Sequence, residues 1–433
     1  MGQAIADFRV ALAAQPGDAE ILARLVASSL AIQRTDMARV FLRQLVMLHG
    51  WTPERARQMA ELELAEGGAQ QAVAYWRASL DGTKDDIPTL RNLVSRAAAD
   101  QDWQDAQALL DRLLALDNSD ESALYQRGLL TLPTNPSNAV DDLDRAALDP
   151  QYRDAAAALK STLTAHNGDS AGQLSFQLGL TLMSLKEWPY AEHALVTALA
   201  QGQSSPPTLA LLGVVQDEQG RDGWPLIERG FTADPGDGMV NYAMALHWRL
   251  LGDTTRALAA LARAEALDPR NPAIASELGL VYQMTGRMDS AALWYNEAVT
   301  LAPNNAGFQA MLANFYADTS YNLDGEGLTA IRKIADQQPN DADIRASLGW
   351  ALFSSAQFEA AQEALQRALV LDSTNARARY YFAILLEHNG DLQGAISSYT
   401  YVYRDAADTS FKDLAAGALR RLGENVDPDK AVQ

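Results

Sequence analysis

Residues 272–305 read PAIASELGLVYQMTGRMDSAALWYNEAVTLAPNN, and this stretch indicates two helices joined by a tight turn. Ile274 and Leu278 recur at a spacing of four, which places them on one face of the first helix. Gly286 is typical of a residue that ends a helix, and Pro303 stops the second one. The stretch therefore predicts an antiparallel helical hairpin.

Small and bulky residues have complementary roles in this hairpin. Gly279, Ala291 and Ala298 have little or no side chain, so we expect them to let neighbouring helix backbones approach each other closely. We expect Tyr282 and Tyr295 to fill the space that remains between the helices. The hairpin is thus suited to packing against further hairpins of the same kind.

The pattern returns along the chain with a period of 34 residues. Two series show it, each with members 34 residues apart: Ala4, Ala38, Ala72 and Ala106, and then Phe8, Leu42, Trp76 and Leu110. Pro269 and Pro303 keep the same step. A fixed period of this length indicates an array of stacked supersecondary units rather than separate globular domains.

The spaced residues of the first hairpin resemble one known family. The set comprises Leu278, Gly279, Tyr282, Gly286, Ala291, Tyr295, Ala298 and Pro303, and it resembles the tetratricopeptide repeat nearly position for position. The resemblance implies an all-α, right-handed superhelical solenoid of about eleven antiparallel helix hairpins. It also implies that the first helix of each hairpin lines the concave side, where a partner would bind.

We expect eleven copies, which cover most of the chain. The well-formed copies are 172–205, 238–271, 272–305, 342–375 and 376–409. The weaker copies are 19–52, 53–86, 87–120, 121–150, 206–237 and 306–341.

Two of the weaker copies depart from the pattern in ways that predict local structure. Unit 206–237 carries Pro225 where a small alanine is expected, so its second helix should begin at that proline. Unit 306–341 contains an insertion over 318–324, which predicts a longer loop.

The copies group into four regions. An N-terminal array, 1–150, begins with a half repeat, because residues 3–15 match a second helix that has no first helix before it. Residues 151–171 are out of frame and predict a connecting helix or joint. A C-terminal array, 172–409, follows, and 410–433 predicts a capping helix and a frayed tail. The half repeat suggests either that the native chain continues upstream or that another subunit covers this end.

Composition limits the possible functions. The 433 residues contain 35 Lys and Arg against 55 Asp and Glu, a net charge of −20, which argues against binding nucleic acid or anionic membranes and permits a basic protein partner. There is no cysteine, and the five histidines never pair at metal-ligand spacing. No apolar run approaches the length of a transmembrane helix. We therefore expect no catalytic residue, cofactor, metal or membrane insertion.

The resemblance to the family points to a groove along the first helices. The positions beside the packing stripe are apolar, and we take them as the partner-binding site: Phe176, Leu180, Met183, Val214, Met239, Tyr242, Leu246, Leu280, Met284, Trp350, Phe353, Tyr380 and Ile384. Each of them could instead serve internal packing. Together they would make an apolar patch larger than monomers usually expose. Some members of the family hold a peptide carboxylate with Lys, Asn and Arg side chains; no such set is found here, and Arg377 is the nearest candidate.

The sequence thus predicts a non-catalytic scaffold that binds an apolar or amphipathic segment of a protein partner. Two alternatives remain open, namely the regulatory or sensor region of a larger enzyme, and a structural subunit of a cell-envelope or filament assembly. The Ala- and Arg-rich, lysine-poor composition suggests a bacterial source. The compartment stays open, because the absence of cysteine fits both a cytoplasmic and an exported protein.

Overall fold

Helices account for the regular structure of the chain. The computed structural model describes residues 2–32, 34–80, 86–406 and 409–424, and over these residues it contains twenty-five α-helices and no strand. The frayed end predicted for the tail lies, from residue 425 onward, outside the described residues.

The helices are numbered in chain order. They are α1 (Gly2–Ala14), α2 (Ala19–Ala31), α3 (Thr35–His49), α4 (Pro53–Ala65), α5 (Ala69–Leu80), α6 (Ile87–Ala99), α7 (Trp103–Leu116), α8 (Glu121–Thr131), α9 (Pro136–Ala146), α10 (Pro150–Ala165), α11 (Ala171–Ser184), α12 (Trp188–Ala200), α13 (Pro206–Glu218), α14 (Trp224–Ala233), α15 (Gly238–Leu250), α16 (Thr254–Leu267), α17 (Pro272–Met284), α18 (Met288–Leu301), α19 (Ala306–Thr319), α20 (Leu328–Gln337), α21 (Ala342–Ser354), α22 (Phe358–Leu371), α23 (Ala376–His388), α24 (Leu392–Asp405) and α25 (Thr409–Arg421).

Eleven hairpins match the eleven expected copies. Their first helices are α2, α4, α6, α8, α11, α13, α15, α17, α19, α21 and α23, and each packs against the helix that follows it. The helices α1, α10 and α25 stand outside these pairs. The prediction of an all-α solenoid of helix hairpins is confirmed.

A side-chain cap begins every first helix. The capping residues are Asp18, Thr52, Asp86, Asp120, Ser170, Ser205, Asp237, Asn271, Asn305, Asp341 and Asn375. In each case the side-chain oxygen accepts a hydrogen bond from a backbone N–H of the first turn, which has no partner inside the helix. Where the cap is aspartate, its negative charge also suits the positive end of the helix dipole. Part of the acidic surplus of the chain is therefore structural.

Close helix approach within a hairpin depends on glycine, as expected from Gly279. A Cβ on Gly279 would lie 2.8 Å from the Tyr295 ring, and one on Gly349 would lie 2.5 Å from Leu365. Both distances are far below van der Waals contact. Any larger residue at these two positions would force the helices of the hairpin apart.

The two irregular hairpins behave largely as the sequence predicts. The second helix of 206–237 begins at Trp224, one residue before the expected Pro225. In 306–341 the insertion forms a longer connection, in which Ser320 and Asn322 adopt left-handed backbone conformations. One π-helical turn, Leu323–Gly327, then leads into α20.

Tertiary contacts divide the chain into two compact units, residues 1–233 (unit 1) and 234–433 (unit 2). The helices α1–α14 belong to unit 1 and α15–α25 to unit 2. The joint expected over 151–171 stays a prediction. In that region α10 packs against α9 and α11 and buries Ala156 and Leu159.

Candidate functional site

The thirteen residues of the expected groove differ in how far solvent reaches them. Phe176 and Val214, both in unit 1, are buried at 9% and 4% exposure. Met284 is half exposed, at 50%. The remaining ten are partly buried: Leu180, Met183, Met239, Tyr242, Leu246, Leu280, Trp350, Phe353, Tyr380 and Ile384. Most of the expected groove therefore contributes to packing and keeps only part of its surface open.

Unit 2 repeats one of these positions on four of its first helices. Leu246, Leu280, Trp350 and Ile384 occupy the ninth residue of their repeats, on α15, α17, α21 and α23, and all four are partly exposed. We call these four residues the first-helix row. On α19 the same position is Asn314, whose Oδ1 accepts a hydrogen bond from Ser347 at 2.7 Å.

Aromatic rings hold part of this row in place. Trp350 stacks on Tyr381 with ring centroids 4.7 Å apart, and on Phe353 at 5.4 Å. Burial raises the pKa of Tyr381, whose hydroxyl donates a hydrogen bond to Asp318 at 2.9 Å. The indole of Trp350 thus takes part in the helix packing, and the residue stays partly exposed to solvent.

Arg377, the nearest candidate for holding a peptide carboxylate, is already engaged. Its guanidinium lies 2.5 Å from Asp318 and stacks over the Phe411 ring at 5.5 Å. Burial disfavours its charge, but the nearby carboxylate of Asp318 outweighs burial and raises the pKa of Arg377. A peptide carboxylate would have to displace Asp318 to bind here.

In unit 1, a helix of a later repeat packs against the first helices of two earlier repeats. Helix α12 contacts α6 and α8, which begin repeats well before its own. Trp103 packs on Tyr190 and His193 of α12, with ring centroids 5.7 and 4.6 Å apart. Tyr125 of α8 makes a hydrogen bond with Glu187, which precedes α12. The chain therefore covers part of its own first-helix surface in unit 1.

Burial shifts the ionisable groups of this contact. Desolvation raises the pKa of Glu187, and only the hydrogen bond from Tyr125 opposes it. Desolvation also lowers the pKa of His193, which favours the neutral imidazole. Glu187 and His193, both partly buried, thus contact different residues of earlier repeats, Tyr125 and Trp103.

A second glutamate at this contact has the opposite shift. Burial alone would raise the pKa of Glu192, but hydrogen bonds from Arg221, Gln219 and Gln101 outweigh burial and lower it. Gln219 Nε2 lies 2.8 Å from Glu192 Oε2, and Arg221 forms an ion pair with the same carboxylate. Glu192 is thus held as a carboxylate, whereas Glu187 is pushed towards its neutral form.

Sequence reasoning did not find the α12 contact, although a signal was available. The helix reads WPYAEHALVTALA and is apolar on nearly every side, whereas a helix covered on one face only shows a polar opposite face. Its partners come from distant repeats, and a period of 34 residues gives no information about such contacts.

Neither a cluster of metal ligands nor a membrane-spanning helix is found among the described residues. Among the described residues, no three His, Asp or Glu side chains converge in the way that metal ligands do. Over the same part of the chain, no helix is both long and apolar enough to cross a bilayer.

Comparison with known proteins identifies the repeat. The family model of the tetratricopeptide repeat matches residues 242–306 and 346–411. No curated protein matches the chain.

Three solved structures illustrate the likeness of fold. Yeast Tom70 is 13% identical, with 87% of this chain and 97% of Tom70 covered and a TM-score of 0.42. Cut9–Hcn1, a hetero-tetramer of the APC/C, is 14% identical over 93% of this chain and 90% of the other, with a TM-score of 0.45. A thermophilic TPR protein of Thermus thermophilus, TTC0263, is 24% identical over 42% of this chain and 99% of its own, with a TM-score of 0.36. The two matched segments each span two of the observed hairpins, so the chain contains tetratricopeptide repeats over residues 242–306 and 346–411.

Proposed function

We propose that this chain is a non-catalytic scaffold that binds an apolar or amphipathic segment of a partner protein along the first-helix row of unit 2. The observation that supports it most is the row itself. Four apolar side chains recur at one position in four of the five repeats of unit 2 and remain partly open to solvent.

Physical chemistry favours a protein segment as the occupant. Single apolar residues at the same position of several repeats match a ligand that extends along those repeats and presents apolar side chains at intervals. Covering the open parts of these residues would supply ~25 cal/mol for each Å² of apolar surface removed from water. Part of that gain is lost to the cost of association, so the affinity should be moderate.

The proposal uses unit 2 rather than the whole expected groove. Phe176 and Val214 are buried, so a partner could reach them only after local opening. Trp350 is unsuited to a simple deletion test, because its removal would also disturb Tyr381 and Phe353. The cleanest probes are therefore Leu246 and Leu280.

The test uses peptides of 20 residues selected against the full chain from a phage-displayed library. Their affinities are measured by calorimetry for the wild-type chain and for the double variant Leu246→Gln/Leu280→Gln. We expect binding to weaken at least tenfold in the variant, since the amide side chains keep the volume but remove apolar contact. Circular dichroism checks that the variant keeps its helicity.

A matched control separates the row from general surface hydrophobicity. Leu293 and Val370, on the second helices α18 and α22, are 66% and 75% exposed. Leu293→Gln/Val370→Gln should change the affinity less than twofold. If the two double variants weaken binding equally, or if neither does, the row is not the binding surface.

A further inference from the structure

In two hairpins of unit 2, a residue of the first helix contacts a residue 22 positions later on the second helix. In hairpin α15–α16, Arg263 Nε donates to Asn241 Oδ1 at 3.0 Å. In hairpin α23–α24, the corresponding residues are Tyr401 and Arg379, and the guanidinium of Arg379 lies 4.1 Å from the centre of the Tyr401 ring. In both hairpins a residue near the start of the first helix therefore meets a complementary group on the second helix.

The hairpin α21–α22 has two cations at these positions. Arg345 and Arg367 are separated along the chain by the same 22 residues as Asn241 and Arg263. Arg345 is also anchored like Arg379, because each donates to the carbonyl six residues earlier, at 3.5 Å to Pro339 and 2.5 Å to Ser373. Arg379 thus has the aromatic ring of Tyr401 as its partner, whereas Arg345 has the like charge of Arg367 at the equivalent position.

A third arginine joins them around an open cleft. Arg332 of α20 lines the same cavity of about 440 Å³, a size that falls within the range of ligand pockets. Leu348, Leu352 and Ala364 form an apolar, nearly buried part of its lining, and Ala360 and Glu363 complete it. The cleft combines a cluster of cations with an apolar surface.

The charge of this cleft is not balanced within the structure. Among the described residues, no carboxylate lies within ion-pair distance of Arg332, Arg345 or Arg367, although Glu363 lines the same cleft. Elsewhere in unit 2, Arg249, Arg377 and Arg421 each pair with a carboxylate.

Three arginines against one glutamate leave a local excess of positive charge in a chain whose net charge is −20. Like charges held close together repel each other, and a bound anion would remove that repulsion.

We propose that this cleft binds an acidic protein segment in which carboxylate side chains flank an aliphatic one. Guanidinium groups match carboxylates in planar, two-point hydrogen bonds, and the leucine-lined part of the cleft accommodates the aliphatic side chain. An inorganic anion would use only the arginines. The inference shares with the proposed function only that the chain binds proteins, and it uses a different surface.

The experiment measures fluorescence anisotropy of a rhodamine-labelled peptide, Gly-Asp-Leu-Glu-Leu-Asp-Gly, titrated with the full chain at low salt. Two reference peptides replace either all acidic residues by their amides or both leucines by serine. We expect each replacement to weaken binding at least tenfold. Arg345→Gln/Arg367→Gln should weaken binding of the acidic peptide by a similar factor.

Two controls keep the test specific. Arg256→Gln/Arg287→Gln removes the same charge from arginines outside the cleft and should change the affinity less than twofold. Leu246→Gln/Leu280→Gln should bind the acidic peptide normally, so a failure of the first-helix row and a failure of the cleft can be told apart.

Arg367→Tyr copies the pair of Arg379 and Tyr401; it should melt at a higher temperature than the wild type and show no further rise when the peptide is added.

Three outcomes would overturn the proposal. The first is equal binding of the acidic and amide peptides, and the second is unchanged binding to Arg345→Gln/Arg367→Gln. The third is that sodium sulfate, compared at equal ionic strength with sodium chloride, displaces the peptide and raises the melting temperature as much as the peptide does. The cleft would then be a simple anion site.

Discussion

Units 1 and 2 are built from the same hairpin but leave different surfaces open. In unit 1, α12 lies against α6 and α8, so the chain covers first helices of its own earlier repeats. In unit 2, the first helices α19, α21 and α23 pack against one another and keep a partly open apolar row. A repeat sequence therefore does not by itself decide which of its faces stays available to a partner.

A lone helix, α10, lies in the chain between α8 and α12. It packs between α9 and α11 without a hairpin partner, and so adds a single helix to an array of pairs. Helix α12 is a second helix by sequence, yet it lies against the first helices α6 and α8.

The largest expected effect on this comparison comes from Trp350→Ala in unit 2. Loss of the stacking on Tyr381 and Phe353 leaves a cavity and should lower the free energy of unfolding by about 3 kcal/mol. Hydrogen exchange, followed helix by helix, should show faster exchange in α21 and α23 and unchanged exchange in α8. Equal acceleration in both units would mean that the two regions do not respond separately.

Glu192→Gln should have the next largest effect, confined to unit 1. The carboxylate side chain is 3% exposed and pairs with Arg221, which is 44% exposed, so its loss should cost about 1–2 kcal/mol. The pKa of Glu192 is lowered in the folded state, so its contribution is present above its unfolded pKa and is lost as the pH falls.

Thermal melting from pH 7 down to pH 3 checks this sign. The gap between the wild type and Glu192→Gln should close as the pH decreases. A gap that stays constant with pH would show that the charge of Glu192 does not contribute.

Glu187→Gln should give the smallest effect, with the opposite sign. The pKa of Glu187 is raised by burial, so the wild-type carboxylate costs stability once the pH exceeds its unfolded pKa. The amide removes the charge and still accepts the hydrogen bond from Tyr125, so the variant should be more stable by about 0.5–1 kcal/mol at pH 7.

The same pH series measures both glutamates. The advantage of Glu187→Gln should disappear as the pH falls, because the wild-type side chain then becomes neutral as well. A variant less stable than the wild type at pH 7 would contradict the shift and would assign Glu187 a favourable charge.

The pattern of hairpins was predictable because it depends on short-range features. Gly279 faces Tyr295, and at the equivalent positions of another hairpin Gly349 faces Leu365. Each pair sets the distance between two helices that are adjacent in sequence. Helix starts depend on equally local features, since Asp120, which caps α8, is a residue type that favours the N-cap position.

The candidate surfaces were only partly predictable. Leu246 and Leu280 are partly open as the family pattern implies, whereas Phe176 and Val214 are covered. The family pattern places all four beside the packing stripe, but it does not indicate which neighbouring helix packs against them.

The arginine cleft could not be predicted from the sequence, for a related reason. Arg345 and Arg367 read as ordinary exposed residues of two helices, and an acidic chain gives no reason to expect an unbalanced cluster of cations. Their shared cleft appears only once both helices and Arg332 of α20 are placed.

By itself, the sequence determined the helices, their pairing and the close approach within each hairpin, because caps, glycines and a 3.6-residue period act between residues that are near in the chain. Only the tertiary structure decided which faces remain open and which charges lack a partner. Exposure and electrostatic balance depend on every group that surrounds a side chain, and Tyr125 and Glu187 show that such groups come from different repeats.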